Sequence, residues 1–378
     1  MVKEACELRM VSDVPVGVFL SGGFDSTMVT SVLQKDRTDK LKTFTIGFPD
    51  GIDESKDAEK IAKYLGTDHH TYDCSYKDAM ELIPLLPEFY DDPIADISCI
   101  PTMLVSKLAR QEVTVALTGD GGDELFAGYG GFKTTPEILN RLKKFPYKFL
   151  TGSLLKYFSP LFTGKYNHIE KKLSGISRVI QTSPSDMLYQ FYIYQSGIPT
   201  EFLDKLFLET PKTRHPIKKS VNYKNFYDEL FVLGVEDVLR DLLLVKTDRA
   251  TMGYSLEGRE PLLDHSLMEF AATLPFYYKH DGITSKRPIR EIVYKYVPKE
   301  IMDRPKVGFD LPIYKWLRGE LAYLLDEFLN YKALEEQKMF SSIYIEQLIK
   351  QFKNGQLRYK SLIWRLLVFE MWYKRWYK

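Results

Sequence analysis

Apolar runs of strand length alternate with helical periodicity over the first third of the chain. Residues 14–20 form an apolar run rich in β-branched side chains, and residues 41–48 alternate between polar and apolar positions, so both segments predict strands. Between them, residues 26–34 space their apolar side chains three and four positions apart, which predicts a helix. Residues 57–65 have the same spacing and end at Gly66, a residue typical of helix C-termini.

The alternation of strands and helices continues to about residue 117. A short strand is predicted over residues 69–73, helices over 77–90 and 102–111, and a further buried strand over 113–117. Strands and helices that alternate at these lengths predict an α/β fold with a parallel sheet and helices on both faces. Ligands bind at the carboxyl ends of the strands in such sheets, so the segments after each strand are the first place to look for a site.

The pattern changes after residue 132, where Lys, Tyr, Phe and Leu dominate and helices joined by prolines fit better than strands. An amphipathic helix is predicted over 236–252, and residues 320–378 are predicted to be helical. We therefore expect three parts: an α/β core over 1–132, a helical insertion over 133–235 and a helical C-terminal part over 236–378. The aromatic end of the last part either packs back on the core or forms a partner surface.

The composition of the chain limits the classes of protein to which it can belong. The chain has 378 residues, a net charge of +1 and 44% hydrophobic residues, which is ordinary for a globular protein and does not favour nucleic acid as a partner. Its three cysteines are scattered, which argues against a thiolate metal site and a disulfide framework and favours a reducing cytoplasm. Neither a signal peptide nor an apolar run long enough to span a membrane is predicted.

The turn after the first predicted strand carries the first candidate chemistry. Ser21, Gly22 and Gly23 follow the strand, and Asp25 and Ser26 open the helix. Two glycines allow close approach of the backbone to an anion, and a helix start offers free N–H groups, so the turn suits phosphate. An acid beside phosphates implies a cation between them, so Asp25 is a candidate Mg²⁺ ligand. The alternative is a glycine turn that serves packing alone.

This turn resembles the SGGxDS signature of the PP-loop ATP pyrophosphatases, which cleave ATP between its α- and β-phosphates. A second glycine-rich turn, TGDGGDE, opens directly after the strand over 113–117. One interpretation is a tight turn with solvated acids. The other is that Asp123 joins Asp25 on Mg²⁺, since this ion commonly takes one or two carboxylates plus phosphate oxygens. Asp120 would then face the acceptor substrate and orient an amine or take its proton.

Three later charged segments complete a family pattern, over residues 248–265, 286–290 and 304–309. In chain order the motifs are SDVPVGVFLSGGFDS, KTFTIGF, ALTGDGGDELFAGY, DRATMGYSLEGREPLLDH and RPKVGFDLPIYKW. This set resembles the synthetase domain of the glutamine-hydrolysing asparagine synthetases, whose relatives include the β-lactam and carbapenam synthetases. The resemblance covers about residues 8–320 and implies a PP-loop ATP pyrophosphatase core with an additional helical C-terminal region that completes the acceptor and pyrophosphate site.

The resemblance also implies roles for particular residues. Lys306 matches the catalytic loop lysine, Asp120 matches an acid beside the acceptor that is Glu in some members, and Asp25 and Asp123 match the Mg²⁺ ligands. Glu257, Arg259 and Asp264 match a signature that either shapes the pocket or forms structural ion pairs. The residues expected to hold ATP are Leu20, Ser21, Gly22, Gly23, Asp25, Ser26, Ile46, Thr118 and Gly119.

The reaction implied is aspartate, ammonia and ATP to asparagine, AMP and pyrophosphate through an acyl-adenylate. Met1 is followed by Val2, where the family's glutaminase domain would have its cysteine. We therefore expect a synthetase domain without a glutaminase domain. It is an excised or truncated C-terminal domain, an ammonia-using enzyme, or half of a split pair with a separate glutaminase domain or subunit; a homodimer stays open. The alternatives are a synthetase acting on another carboxylate, such as a sugar acid or a peptide-like acceptor, and a catalytically idle homologue that binds a partner.

Overall fold

Five strands form one parallel sheet, in which their order in space is third, second, first, fourth and fifth along the chain. The structure is a computed structural model and describes residues 1–48, 53–144, 147–158, 167–182, 188, 200–209, 225–304 and 311–377. The strands are β1 (Val16–Phe19), β2 (Lys42–Gly47), β3 (Asp68–Asp73), β4 (Val115–Leu117) and β5 (Glu257–Arg259).

Helices make up most of the remaining described chain, and those over Phe24–Gln34, Ser55–Leu65 and Cys99–Ala109 contact the sheet. Short 3₁₀ turns cover Ile83–Leu85, Pro261–Leu263 and Leu357–Tyr359, and a π-helical segment covers Gly234–Leu244. In chain order the α-helices are α1 Val2–Arg9, α2 Phe24–Gln34, α3 Ser55–Leu65, α4 Tyr76–Leu82, α5 Leu86–Phe89, α6 Cys99–Ala109, α7 Gly122–Leu125, α8 Gly131–Lys143, α9 Lys148–Phe158, α10 Asn167–Gln181, α11 Thr200–Leu206, α12 Phe226–Leu233, α13 Val245–Met252, α14 His265–Thr273, α15 Phe276–Lys279, α16 Arg287–Val293, α17 Lys299–Met302, α18 Ile313–Trp316, α19 Ala322–Phe328, α20 Tyr331–Gln337, α21 Ser342–Lys353 and α22 Lys360–Trp376.

The core of the sheet follows from the apolar runs seen in the sequence. Val18 of β1 and Phe44 of β2 are fully buried, and Phe44 packs with Ala116 of β4 and with residues of α6. A Cβ at Gly17 would lie 2.4 Å from the Phe44 ring, so the glycine leaves room for that ring between neighbouring strands. The predicted parallel α/β core is confirmed, and β1, β2 and β4 end at one edge of the sheet, where the two glycine-rich turns begin.

Three local predictions differ from the structure. The helix predicted over 77–90 is interrupted, because prolines 84 and 87 cannot donate backbone hydrogen bonds and occupy the first turns of Ile83–Leu85 and Leu86–Phe89. The helix predicted over 236–252 is π-helical before Val245. Finally, β5 was not predicted; it is only three residues long and its polar sequence lacks the apolar alternation of a strand.

The chain forms two compact units. The first comprises Met1–Tyr129, Gly234–Phe328 and Trp364–Lys378 and contains the sheet. The second comprises Gly130–Leu233 and Leu329–Ile363, and its core includes Leu139, Val179, Leu188, Phe226 and Leu233. The division into parts over 1–132, 133–235 and 236–378 stays a prediction. None of the described helices is both long and apolar enough to cross a membrane.

Candidate nucleotide and metal site

The turn between β1 and α2 is held together by its own hydroxyl groups. The Ser21 backbone N–H donates to Ser26 Oγ at 3.2 Å, and the two serine hydroxyls lie 3.1 Å apart. The Gly23 N–H donates to Ser21 Oγ at 3.3 Å, and Gly23 is the N-cap of α2 without a side-chain cap. Gly22 has φ +78°, a conformation that glycine adopts at little cost. The result is a tight turn at a helix N-terminus, the local geometry that favours phosphate.

Arg304 braces this turn from a distant part of the sequence. One guanidinium nitrogen donates to the Gly22 carbonyl oxygen at 3.0 Å, and another lies 3.0 Å from a carboxylate oxygen of Asp57 on α3. The arginine therefore ties the peptide at the left-handed turn to a neighbouring helix. Lys306 follows two positions later, but it lies outside the described residues, so its predicted role as the catalytic loop lysine stays a prediction.

The second glycine-rich turn lies directly against the first. A Cβ at Gly119 would stand 2.8 Å from the Ser26 backbone nitrogen, and one at Gly122 would stand 2.2 Å from Asp25 Oδ1. Both positions therefore need glycine because any side chain would collide with the first turn. This close approach brings Asp25 and Asp123 together from two strand ends, so that both contact one Lys286 ammonium. The predicted binding of Mg²⁺ by this pair stays a prediction.

Lys286 lies between these two acids. Its ammonium nitrogen is 2.8 Å from Asp123 Oδ1 and is also hydrogen-bonded to Asp25 Oδ2. The lysine is 8% exposed. Burial acts to lower the pKa of Lys286, but the two carboxylates outweigh it and raise that pKa above its ordinary value. One cation is thus shared by two carboxylates at the place where the sequence predicted a metal.

The donor set fits Mg²⁺. Two carboxylates that converge on one cation present hard oxygen ligands, and Mg²⁺ commonly takes one or two carboxylates and completes its octahedron with phosphate and water oxygens. Within the described ranges, no group of three or more His, Cys, Asp or Glu side chains could hold a metal by itself. The Asp25–Asp123 pair would therefore hold Mg²⁺ together with phosphate oxygens, and we treat this assignment as a proposal.

The side of the second turn that carries Asp120 is acidic. Thr247 of α13 donates from Oγ1 to Asp120 Oδ2 at 2.7 Å, and this hydrogen bond fixes the orientation of the half-buried Asp120. Burial, followed by the charges of Asp120 and Asp248, raises the pKa of Glu260 to about 7. The negative potential here would attract a cationic or hydrogen-bond-donating group such as an amine.

Glu124 and Tyr129 add a buried polar pair beside Asp123. The Tyr129 hydroxyl donates to Glu124 Oε1 at 2.5 Å, and Glu124 is 1% exposed. Burial is the main cause that raises the pKa of both groups above their ordinary values, so the hydrogen bond satisfies a carboxyl group that is hard to ionise. This pair supports the turn that carries Asp123.

The signature around β5 forms ion pairs and hydrogen bonds, both within itself and with Arg9 of the N-terminal helix. Arg259 Nε lies 2.6 Å from Glu257 Oε1, and an NH group of Arg259 donates to the Arg9 carbonyl oxygen at 2.8 Å. Asp264 pairs with the Arg9 guanidinium at 2.7 Å and accepts from the Ser266 N–H as the N-cap of α14. These contacts favour the structural interpretation of Glu257, Arg259 and Asp264.

The other residues predicted to hold ATP lie at the same strand ends. Leu20 and Ile46 are buried, and the Leu20 N–H donates to the Phe44 carbonyl oxygen at 2.9 Å, which extends the β1–β2 pairing to the site. Thr118 is 4% exposed and its hydroxyl accepts from the Asp120 N–H at 3.2 Å. Their backbone contacts to a nucleotide stay predictions.

Three residues of this site had no assigned role at the sequence level: Lys286, Thr247 and Arg304. Each lies in or next to a charged segment of the family pattern, and Lys286 directly precedes an Arg-Pro helix start. That context indicates a charge near the site. It does not indicate which side chain reaches it, because the partners of Lys286 lie 261 and 163 positions earlier in the chain.

Comparison with known proteins gives a consistent result. The family model described as "Asparagine synthase" matches residues 1–374. An asparagine synthetase (glutamine-hydrolyzing) of Bacillus subtilis is 30% identical over 98% of this chain and 58% of its own length. A putative asparagine synthetase (glutamine-hydrolyzing) of Mycobacterium bovis is 29% identical over 99% of this chain and 56% of its own. A putative asparagine synthetase (glutamine-hydrolyzing) of Methanocaldococcus jannaschii is 36% identical over 67% of this chain and 48% of its own length. The chain therefore spans about half the length of these curated relatives.

Proposed function

Since the chain belongs to the asparagine synthase family, we propose that it is a ligase that makes an amide from a carboxylate, ammonia and ATP through an acyl-adenylate. The acceptor we propose is the side-chain carboxylate of aspartate, and the products are asparagine, AMP and pyrophosphate. One observation carries the proposal. Asp25 and Asp123, from two glycine turns at the ends of β1 and β4, converge on a single cation beside a phosphate-type turn.

Different residues bind the phosphates, hold the metal and stabilise the leaving group in the proposed first step. The Ser21–Ser26 turn and the N-terminus of α2 bind phosphate oxygens, and the two close-packed turns fix Asp25 against Asp123. Mg²⁺, when bound by these acids, would neutralise phosphate charge and orient the leaving group. Lys306 follows the Arg304 brace in sequence and is proposed to stabilise charge on the departing pyrophosphate.

The proposed reaction has two steps, and the second, attack by ammonia, takes place on the acidic side of the site. The acceptor carboxylate attacks the α-phosphorus and pyrophosphate leaves, so the carboxyl carbon is activated as a mixed anhydride. Ammonia then attacks this carbon, AMP leaves with the former carboxylate oxygen, and one proton must be removed. We propose that Asp120, which accepts a hydrogen bond from Thr247, orients the amine or takes that proton.

Product analysis tests this function. The purified chain receives ATP, Mg²⁺ and aspartate, with ammonium in one reaction and glutamine in the other. AMP, pyrophosphate and asparagine with ammonium support the proposal. AMP formed only with another carboxylate would identify a different acceptor, and failure to bind ATP·Mg²⁺ by calorimetry would favour an idle homologue. A separate glutaminase, a cytoplasmic location and a homodimer stay predictions.

The variant Lys306→Ala tests the proposed catalytic role of this lysine. We expect amide formation to fall at least about a hundredfold, because a cation that acts on transition-state charge contributes several kcal/mol. ATP affinity should change much less, since the turn after β1 and the two acids remain. Full amide formation by Lys306→Ala would exclude the proposed role of this lysine.

A further inference from the structure

The Lys286 ammonium occupies the position at which a divalent cation would meet both acids. It contacts one oxygen of each carboxylate, at 2.8 Å for Asp123. Mg²⁺ would sit about 2.1 Å from oxygens of the same two groups. An ammonium and a divalent cation cannot share that position, because their centres would nearly coincide and their charges repel.

The two acids need a cation even when no metal is bound. Their side chains are 17% and 19% exposed, and the lysine side chain is 10% exposed. Two carboxylates this close, and this far from water, repel each other and favour protonation or separation unless a positive charge lies between them. Lys286 supplies a positive charge between the two carboxylates.

The surroundings leave little freedom for a looser arrangement. A Cβ at Gly128 would lie 1.9 Å from Asp123 Oδ1 and 2.1 Å from Lys286 Cε, so the Gly128 backbone packs directly on this ion pair. Lys286 itself adopts φ +53°, an uncommon conformation for a residue with a side chain, and its N–H donates to the Phe126 carbonyl oxygen at 3.2 Å. The main chain of Lys286 is thus fixed at the start of α16, and only its side chain can move away from the acids.

We propose that Lys286 is an exchangeable counter-ion of the Asp25–Asp123 pair, which holds the two carboxylates in place before Mg²⁺·ATP binds and leaves them when the metal enters. This inference rests on the proposed function, because it assumes that the pair binds the metal. Mg²⁺ alone must displace the ammonium from both acids. ATP brings phosphate oxygens that both ligate the metal and offer the displaced ammonium a new anionic partner, so metal and nucleotide enter together.

Manganese provides the probe, because free Mn²⁺ is measured directly by electron paramagnetic resonance. We expect nucleotide-free wild-type protein to bind Mn²⁺ weakly, and Lys286→Met to bind it about tenfold more tightly or better, since one adjacent charge shifts the occupancy of a carboxylate site by roughly one to three decades. Lys286→Met should also melt at a lower temperature than wild type without metal, and Mn²⁺ should raise its melting temperature more than that of wild type.

Lys246→Met is the matched control, because Lys246 is equally buried at 8% exposure but donates to the Ser98 hydroxyl instead of the acids. It should leave Mn²⁺ affinity unchanged. If Lys286→Met does not fold, Lys286→Gln replaces it, because the amide keeps a hydrogen-bond donor while removing the charge. Adding Asp123→Asn to either variant should abolish the gain in affinity.

Equal Mn²⁺ affinity in the wild-type and Lys286 variants would overturn the exchange. The same would follow if the gain survived Asp123→Asn. Binding of Mn²⁺·ATP to wild type is measured in parallel: if it binds while the variants show no gain, the counter-ion role fails and the proposed function stands. If it does not bind, the proposed function fails, and the Mn²⁺ comparison still decides the role of Lys286.

Discussion

Glu260→Gln should stabilise the protein at alkaline pH and have little effect at acid pH. Burial is the main reason that the pKa of the Glu260 carboxyl rises from 4.5 to about 7, with the charges of Asp120 and Asp248 adding to it. The folded state therefore holds the proton more tightly than the unfolded state. The stability associated with the neutral carboxyl is present at pH 4.5 and is lost as the pH rises through 7.

The size of this effect follows from the pKa difference. At 1.36 kcal/mol per pH unit, a rise from 4.5 to about 7 corresponds to about 3 kcal/mol above pH 7, and water entry around a partly exposed group lowers this. Gln has the shape of the neutral acid and can still accept the hydrogen bond from the backbone N–H of residue 260. We therefore expect Glu260→Gln to be about 2–3 kcal/mol more stable than wild type at pH 8 and less than about 1 kcal/mol more stable at pH 5.

Thermal unfolding of the two proteins at pH 5 and pH 8 measures the difference. For domains of about 150–250 residues, each kcal/mol corresponds to about 2–4 °C, so the variant should melt several degrees above wild type at pH 8. Glu269→Gln is the control, because Glu269 is an exposed glutamate on α14 and its replacement should change little at either pH. A stabilisation by Glu260→Gln that is equal at both pH values, or larger at pH 5, would refute the reasoning.

Two further predictions concern substitutions in the unit that contains the sheet. Arg304→Ala should weaken ATP binding about tenfold, as measured by calorimetry, because it removes a charged donor to the Gly22 carbonyl and the link to Asp57. An unchanged affinity would show that Arg304 does not shape the turn. Lys246→Met should raise the thermal midpoint by the equivalent of about 1–3 kcal/mol, because the described residues provide this buried ammonium with a hydroxyl of Ser98 and no carboxylate; a fall in the midpoint would contradict that balance.

Most of the sheet was predictable, because its central strands have clear strand patterns in the sequence. Val18 and Phe44 lie in apolar or alternating runs of strand length, and the glycine-rich turns follow immediately. The short edge strand β5 was not predictable, because Glu257–Arg259 has a polar sequence and becomes a strand only through its pairing with β4. Local pattern cannot reveal an element that depends on a partner more than a hundred residues away.

The site shows the same division between local and long-range information. The placement of Asp25 and Asp123 at two strand ends of one sheet was enough to predict that they would meet. Lys286 was not predictable as their partner, since its position depends on the left-handed start of α16 and on the packing of Gly128. Thr247 reaches Asp120 from a helix that is adjacent only in the folded chain.

An isotope-transfer measurement tests the acyl-adenylate most directly. Aspartate labelled with ¹⁸O in its side-chain carboxylate is incubated with the protein, ATP, Mg²⁺ and ammonium, and the nucleotide product is analysed by mass spectrometry. If the carboxylate attacks the α-phosphorus at the site built around Asp25 and Asp123, AMP carries one ¹⁸O atom and pyrophosphate carries none. Unlabelled AMP, or ADP with labelled phosphate, would contradict the proposed mechanism.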